Sequence, residues 1–466
     1  MKCVHRDGPV VLVSGPILFT FPTAYAYLCG ALVEAGERPV MLFREHGVDE
    51  VVKDIMAARP LLVGLGSLYV DLEEVREIIA ALDAAGRDFP VVVGGNMVSP
   101  TPEFAVRRTG ADYGTIGEAE LILVELVRAL RSGIDPGDQP GLCVRRDDGL
   151  TVSNGPGPII LDLRHLPAVP YELFPTEQWL NMGDWYTKNC PHQNIWRAGD
   201  RVVNLHGARG CPNQCIFCYH SNRYRMRPLD EVFVQAQDLL RCFDANFLYF
   251  CDETALASPR RAEQVVEGVA RLDRPVSYAV TATFDSLARL DDHLLRELAR
   301  TGCRLMGLGA ESGSDRILQT ICPGTVSVEQ MRHDWRRLHA VGIYGSASMQ
   351  FGQYTETRED VERSIVFLKG AVEDAPGAQW GFTVTTPFPG SPLYQMLIRE
   401  GRVRDIDDFH QRYHHGTEGA RVGWCRQVVN FSQMTDFEVL EAYHRASRVY
   451  RETKARVLGC STAEVW

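Results

Sequence analysis

The stretch Arg209-Gly210-Cys211-Pro212-Asn213-Gln214-Cys215-Ile216-Phe217-Cys218-Tyr219 decides how the rest of the chain reads. Three cysteines spaced Cys-x3-Cys-x2-Cys in one short loop can turn their sulfurs toward a common point. Thiolate is the soft ligand that iron–sulfur clusters take. A structural zinc site or a closed cluster shell uses four protein ligands. No fourth cysteine lies nearby, the next being Cys190 and Cys242. Three ligands on a four-iron cluster leave one iron open to a small molecule. The alternative is a zinc ion completed by His206 or His220. Immediately upstream, Val202-Val203-Asn204-Leu205 reads as a β-strand, so the loop sits at a strand's C-terminal end, where α/β folds place their chemistry.

Downstream the alternation continues. Apolar strand patterns fit residues 247–251, 276–281, 304–309, 343–351 and 379–385, with helical patterns at 230–243, 259–272, 291–301, 328–341 and 358–369 between them. With the strand before the cysteines this makes six βα units, a (β/α)6 partial barrel rather than a closed eight-fold one. Polar residues cluster where these strands end. They are Asp252 and Glu253, then Glu311 and Ser312 within Gly307-Leu308-Gly309-Ala310-Glu311-Ser312-Gly313-Ser314, then Gln350, and finally Thr385-Thr386-Pro387. One such acid alone reads as a helix N-cap or a turn residue. Several in order behind a three-cysteine loop read as a site.

Residues 1–132 form a separate α/β pattern. Strand-like runs at 10–13, 39–43, 61–65 and 90–93 alternate with helical stretches at 25–34, 48–58 and 72–84, which predicts a Rossmann-like parallel sheet covered on both faces. Ligands of such sheets bind beyond the strands' carboxyl ends. Those loops hold Ser14-Gly15-Pro16, Ser67-Leu68-Tyr69, Gly94-Gly95-Asn96 and Gly117-Glu118. No Gly-x-Gly-x-x-Gly pattern follows the first strand, which argues against a dinucleotide.

Residues 133–200 read as a linker, opened by the Gly/Pro/Asp cluster after Ser132 and carrying a hairpin around Asp148-Gly149. Its aromatic end, with Trp179, Trp185, Tyr186 and Trp196, reads as packing rather than as the wall of a substrate cavity. After the barrel at 201–400, residues 401–466 read as a small, mostly helical C-terminal segment. In it, a helix over 434–456 would bury Phe437, Leu440, Tyr443 and Val449, and His414-His415 would lie in a solvated loop.

The net charge of −11 argues against a nucleic-acid partner, which needs a basic face. No run is long and apolar enough to span a membrane, and no basic-then-apolar leader opens the chain. The 13 cysteines lack disulfide-like spacing, which suits a reducing cytoplasm.

The cysteine stretch, with Phe217 ahead of its last cysteine and the Arg-Gly-Cys-Pro lead-in, resembles the signature loop of the radical S-adenosylmethionine (radical SAM) enzymes. The strand-end segments around Glu311, Gln350 and Thr385 resemble that family's later motifs. Val91-Val92-Val93-Gly94-Gly95 and Ala111-Asp112-Tyr113-Gly114-Thr115-Ile116-Gly117-Glu118 resemble the cobalamin-binding domain that precedes many radical SAM domains. The Asp-x-His-x-x-Gly of domains that ligate cobalt through histidine is missing, so histidine is not expected below the cobalt.

The resemblance implies three cofactors: a 4Fe-4S cluster, SAM and cobalamin. It assigns Cys211, Cys215 and Cys218 to the cluster. It assigns Phe217, Asp252, Glu253, Glu311, Ser312 and Gln350 to SAM, and Ser14, Ser67, Leu68, Gly94, Gly95, Asn96, Gly117 and Glu118 to cobalamin. It implies a methyltransferase acting on a carbon of a small molecule, fed by an external flavodoxin- or ferredoxin-type electron donor. The alternatives are a radical cyclase like the tetrapyrrole cyclases, or a non-catalytic carrier of cobalamin or cluster.

Overall fold

The structure, a computed structural model, describes residues 7–15, 21–45, 47–66, 68–190, 193–219, 223–415, 421–422, 425–426 and 428–465. The chain divides into two compact units, Met1–Trp179 and Leu180–Trp466. Expected site residue Ser67 lies outside the described residues, as do Pro16, His220 and the stretch 416–420.

In the first unit, strands β1 (Val10–Ser14), β2 (Pro39–Phe43), β3 (Leu62–Gly66), β4 (Val91–Gly94) and β5 (Tyr113–Thr115) run parallel in the order β2-β1-β3-β4-β5. Val10 to Val13, Leu62 to Leu65 and Val91 to Val93 are buried, as continuous apolar strands of a two-sided sheet must be. Helices Thr23–Glu34, Val48–Ala58, Leu72–Ala84, Pro102–Thr109 and Glu120–Ser132 connect and cover them. The order reverses between β1 and β3, the switch point at which doubly wound sheets open a ligand crevice.

The hairpin expected within a linker instead extends this sheet. Strands β6 (Leu142–Arg145) and β7 (Thr151–Ser153) add to β5 in antiparallel register, with Gly114 opposite Cys143 and Cys143 opposite Ser153. Sequence marks a turn at Asp148-Gly149 but does not say which strand the hairpin joins. Trp179 closes the unit by packing edge-on against Phe21.

In the second unit, β8 (Val202–Leu205) leads into two short antiparallel strands, β9 (Ala208–Arg209) and β10 (Arg225–Met226). Then come β11 (Phe247–Phe250), β12 (Ser277–Ala282), β13 (Cys303–Glu311), β14 (Tyr344–Phe351) and β15 (Gln379–Val384). The main sheet is six parallel strands in the order β15-β14-β13-β12-β11-β8. Helices Leu229–Cys242, Pro259–Ala270, Asp292–Arg300, Val328–Ala340 and Arg358–Asp374 lie between successive strands, as the (β/α)6 pattern requires. One packs unusually close. A Cβ on Gly345 of β14 would come within 2.2 Å of the Trp335 ring, so only glycine admits that helix.

Trp196 stacks on Tyr186, with ring centroids 5.1 Å apart, and lies 4.8 Å from Phe247. With Ile195, Val202, Ala279 and Leu305 it fills the N-terminal end of the sheet. Arg304 joins this plug. Its guanidinium lies 4.8 Å from the Phe247 ring, donates to Ile195 O at 3.1 Å and pairs with Asp200 at 2.7 Å. In the C-terminal segment, helix Asp436–Leu458 buries Val439, Ala442, Ala446, Tyr450 and Thr453, while Phe437 is 75% exposed. The buried face is therefore rotated from the expected one: the stripe Val439, Ala442, Ala446, Tyr450 and Thr453, at three- and four-residue spacing, is the one that meets helix Arg358–Asp374 and β15. His414 is not in a loop; it belongs to helix Ile406–His415, whose first turn carries Asp407 and Asp408.

Asp200→Ala should strand the Arg304 charge in the plug. Removing one partner of a buried pair costs about 3–5 kcal/mol. A fall in Tm of several degrees or more is expected by calorimetry, and an unchanged Tm would show that the pair contributes nothing to the plug.

Candidate active site and cofactor loops

The cysteine loop begins at the C-terminal end of β8 and is closed at its base by pairing of Arg209 with Arg225 and Ala208 with Met226. The Asp252 carboxylate, just past β11, accepts from Gly207 N–H at 2.7 Å and Ala208 N–H at 3.0 Å. Arg261 donates to Gly207 O at 2.7 Å and Arg227 O at 2.9 Å, tying both sides of the loop to helix Pro259–Ala270. Burial pushes the Asp252 carboxyl up to about 6, and the two amides and Arg261 work against that shift. A Cβ at position 207 would meet Arg261 Nη2 at 2.8 Å, which accounts for glycine there.

Within the loop, Cys211 Sγ lies 3.3 Å from Thr254 Oγ1. Cys215 Sγ lies 3.2 Å from the thiol of Cys322, a residue the sequence reading passed over. Desolvation, and then the charges of Cys215, Glu253, Cys211 and Glu311, push the Cys218 thiol up to about 12. A bound metal centre inverts that preference and holds the ligand as thiolate. Phe217 is half-buried in the same loop and Glu253 is exposed beside it.

The donor set discriminates between the metal readings. Among the described residues, no three ligand atoms from Cys211, Cys215, Cys218 and His206 lie within 4.8 Å of one another. Sulfurs at ~2.3 Å from a single zinc ion would do so. His206 is held neutral, its pKa lowered to about 4 by burial and by Arg209 and Arg227, which is the state in which an imidazole ligates a metal, so the sulfur spacing alone separates the two readings. Three sulfurs that do not close together on one point suit a polynuclear cluster with one open iron.

Glu311 ends β13 at a bulge, with φ of 61°, a left-handed backbone that costs of order 1–3 kcal/mol for a residue with a side chain. Its carboxylate accepts from Gln350 Nε2 at 2.7 Å and from Ser348 Oγ at 3.3 Å. Burial pushes it up to about 7 against those two hydrogen bonds. A Cβ at Gly309 would lie 2.5 Å from Glu311 Oε1, so the carboxylate lies across a glycine. Ser312 faces away from this group. It is fully buried beside Ser364 at 3.3 Å and accepts from Ser314 N–H at 3.2 Å, fixing helix Arg358–Asp374. Past β14, the Glu356 carboxylate accepts from Gly352 N–H at 2.7 Å and Gln353 N–H at 3.2 Å. It is fully buried, and burial pushes it up to about 8.

In the first unit the strand-end loops are tied at the switch point. The Tyr25 hydroxyl lies 2.5 Å from Val13 O and 2.6 Å from Gly66 O, and accepts from Gly66 N–H at 2.7 Å. Ser14 O accepts from Arg44 Nε at 3.2 Å. Ser99 joins the next two loops, donating to Gly95 O at 3.2 Å and accepting from Gly117 N–H at 3.0 Å. Gly95 and Gly117 have φ of 84° and 85°, and a Cβ on Gly94 would meet Thr115 Oγ1 at 2.5 Å. Gly95, Asn96 and Leu68 are exposed, while Glu118 is half-buried. Neither Tyr25 nor Ser99 stood out in the sequence, because a lone Tyr or Ser carries no spacing signal.

Comparison with known proteins matches residues 206–368 to the radical SAM superfamily and residues 11–127 to the B12 binding domain. The chain belongs to the cobalamin-dependent radical SAM enzymes. Their cofactors are a 4Fe-4S cluster, SAM and cobalamin, and the three-cysteine loop and glycine-lined strand ends are chemically suited to them. An uncharacterized methyltransferase of Pyrococcus horikoshii is 25% identical over 84% of this chain and 80% of its own length. An anaerobic magnesium-protoporphyrin IX monomethyl ester cyclase of Rubrivivax gelatinosus is 23% identical over 87% of this chain and 70% of its own. Among solved structures, the radical SAM methyltransferase TsrM of Kitasatospora setae, with cobalamin and a 4Fe-4S cluster bound, superposes with a TM-score of 0.65. That match is 23% identical and covers 84% of this chain and 75% of TsrM, so the likeness is one of fold.

One consequence for stability concerns this radical SAM domain. Glu356 keeps a proton in the folded state up to about pH 8, whereas the unfolded carboxyl releases it near its ordinary value of 4.5. Folding therefore binds a proton between those limits, and this group's contribution to stability falls as pH rises through them. In Glu356→Gln that slope should vanish. Thermal melts from pH 5 to 8 should show the variant gaining on the wild type as pH rises, and parallel curves would exclude the linkage.

Proposed function

We propose that the protein is a C-methyltransferase that moves a methyl group, supplied through methylcobalamin and SAM, to a carbon of a small-molecule substrate. The observation that carries this reading is the presence in one chain of a B12-binding domain and a radical SAM domain. The methyltransferase names of the Pyrococcus relative and of TsrM support it. When bound, the cluster and SAM supply one-electron radical chemistry and cobalamin carries the methyl group.

In this reading Cys211, Cys215 and Cys218 hold the cluster, and Thr254 lies against Cys211. Glu311, held by Gln350 and Ser348, offers a carboxylate to the ammonium or ribose hydroxyls of SAM, with Glu253 and Phe217 beside the same loop. Asp252 acts one step back. Its carboxylate is taken up by Gly207 and Ala208, so it positions the loop. Ser312 likewise supports a helix. Ser14, Leu68, Gly94, Gly95, Asn96, Gly117 and Glu118 would face cobalamin, the glycines admitting a large flat ligand close to backbone. The electron would come from an external flavodoxin- or ferredoxin-type donor in a reducing cytoplasm. The net charge of −11 speaks against nucleic acid as substrate. No helix among the described residues is long and apolar enough to cross a membrane. A second reading, radical cyclisation, is favoured by the Rubrivivax relative.

The test is anaerobic reconstitution with iron, sulfide and hydroxocobalamin of the wild type and of a Cys211→Ala/Cys215→Ala/Cys218→Ala variant. Loss of about four irons in the variant, with cobalamin retained in both, is expected. Zinc instead of iron in the wild type would overturn the assignment. Mass spectrometry of products then separates the two enzyme readings, since methyl transfer adds one methyl group and cyclisation adds none. Glu311→Gln should keep the cluster yet weaken SAM binding about tenfold by calorimetry, the loss of one charge-assisted hydrogen bond. Unchanged affinity would remove Glu311 from the SAM site.

A further inference from the structure

Cys322 follows helix Asp315–Ile321 and precedes Pro323-Gly324, far in sequence from the signature loop. The fold nevertheless brings it there twice over. Its thiol donates to Cys215 Sγ across 3.2 Å, and the adjacent backbone is joined by Ile216 N–H to Ile321 O at 2.9 Å. The backbone bond fixes the register between loop and helix end, and so keeps the two cysteines within reach of each other. Cys322 is half-buried, and so is Cys215.

Four cysteines near one cluster would ordinarily suggest a closed shell, but this distance argues otherwise. Ligands of a four-iron cube radiate from separate corners, which keeps sulfurs on different irons well beyond hydrogen-bond reach of one another. A thiol in contact with Cys215 is therefore a neighbour of a ligand. Reduction places added negative charge partly on the ligating thiolates, and a hydrogen bond to such a thiolate favours the reduced state. The negative charges nearest this pair, Glu311 and Asp285, act in the opposite direction.

We propose that Cys322 is a positioning residue of the cluster, its S–H donating to the Cys215 thiolate and raising the cluster's reduction potential. This rests on the reading of Cys215 as a cluster ligand. It makes the potential a property set in part by a residue outside the signature loop, and it makes reduction easier for a given electron donor.

The experiment compares reconstituted wild type, Cys322→Ala, Cys322→Ser and Cys215→Ala by iron content and by electron paramagnetic resonance during a potentiometric titration. Cys322→Ala should keep the full iron complement while its midpoint moves to more negative potential. At the wild-type midpoint its reduced-to-oxidised ratio should fall about tenfold, equivalent to ~59 mV for one electron. Cys322→Ser, which keeps a donor, should lie back toward the wild type. A wild-type midpoint in Cys322→Ala, or a midpoint in the serine variant no closer to wild type than alanine's, would overturn the proposal. Loss of iron in Cys322→Ala would overturn it too, by making Cys322 a ligand or a structural prop. A complete cluster in Cys215→Ala would instead refute the ligand assignment on which it rests.

Discussion

The catalytic half of this molecule depends on a clasp between an acid and a base that do not themselves need to touch any cofactor. Asp252 takes the amides of Gly207 and Ala208, and Arg261 takes the carbonyls of Gly207 and Arg227. A loop holding three reactive sulfurs must keep them at fixed separation before any metal arrives, and a free loop of this length would lose that order to conformational entropy. The clasp ties both ends of the loop to β11 and to the helix after it, which are already fixed by sheet pairing and burial. The energetic conflict is visible in Asp252 itself, which burial would neutralise and which the amides and arginine draw back toward charge.

The cobalamin-binding unit solves a similar problem largely with neutral hydroxyls, Arg44 at Ser14 being the charged exception. Its strand ends are joined by hydroxyl groups, Tyr25 between β1 and β3 and Ser99 between the loops after β4 and β5. A neutral hydroxyl can donate and accept at once, so each joins two loops without adding a charge at the strand ends. Glycine then keeps the exposed rim low, at Gly95 and Gly117 through backbone conformations that side chains disfavour.

Much of this was legible from local pattern. Strand and helix periodicity located the six parallel strands of the barrel and the first four of the preceding sheet, because buried parallel strands must be continuously apolar. The cysteine spacing singled out the loop after β8, because three soft ligands in one turn are rare without a metal. What stayed hidden was pairing across distance. Cys322 looks like an ordinary helix-end cysteine until Ile321 and Ile216 are seen to bond. Asp252 and Ser312 read as free polar groups at strand ends, yet backbone amides and a buried serine take them up. The C-terminal helix was misjudged in its buried face because two stripes, one through Phe437 and Leu440 and one through Val439 and Tyr450, both recur at helical spacing, and spacing alone does not say which meets a neighbour.

The aromatic plug around Trp196 and Arg304 lies at the opposite end of the strands from Glu311. From Leu305 to Glu311 the chain advances roughly 20 Å along β13. The plug thus sits apart, along the same strands, from the cysteine loop and Glu311. Substitutions in the plug will be felt by a cell as a change in how much folded protein it holds, through unfolding and degradation. Substitutions at the other end act on folding as well, because Asp252 and Glu356 are buried there and hold the loops in place. The plug can therefore be altered without touching the cysteine loop, whereas a change to the Asp252 clasp reaches both the fold and the three sulfurs.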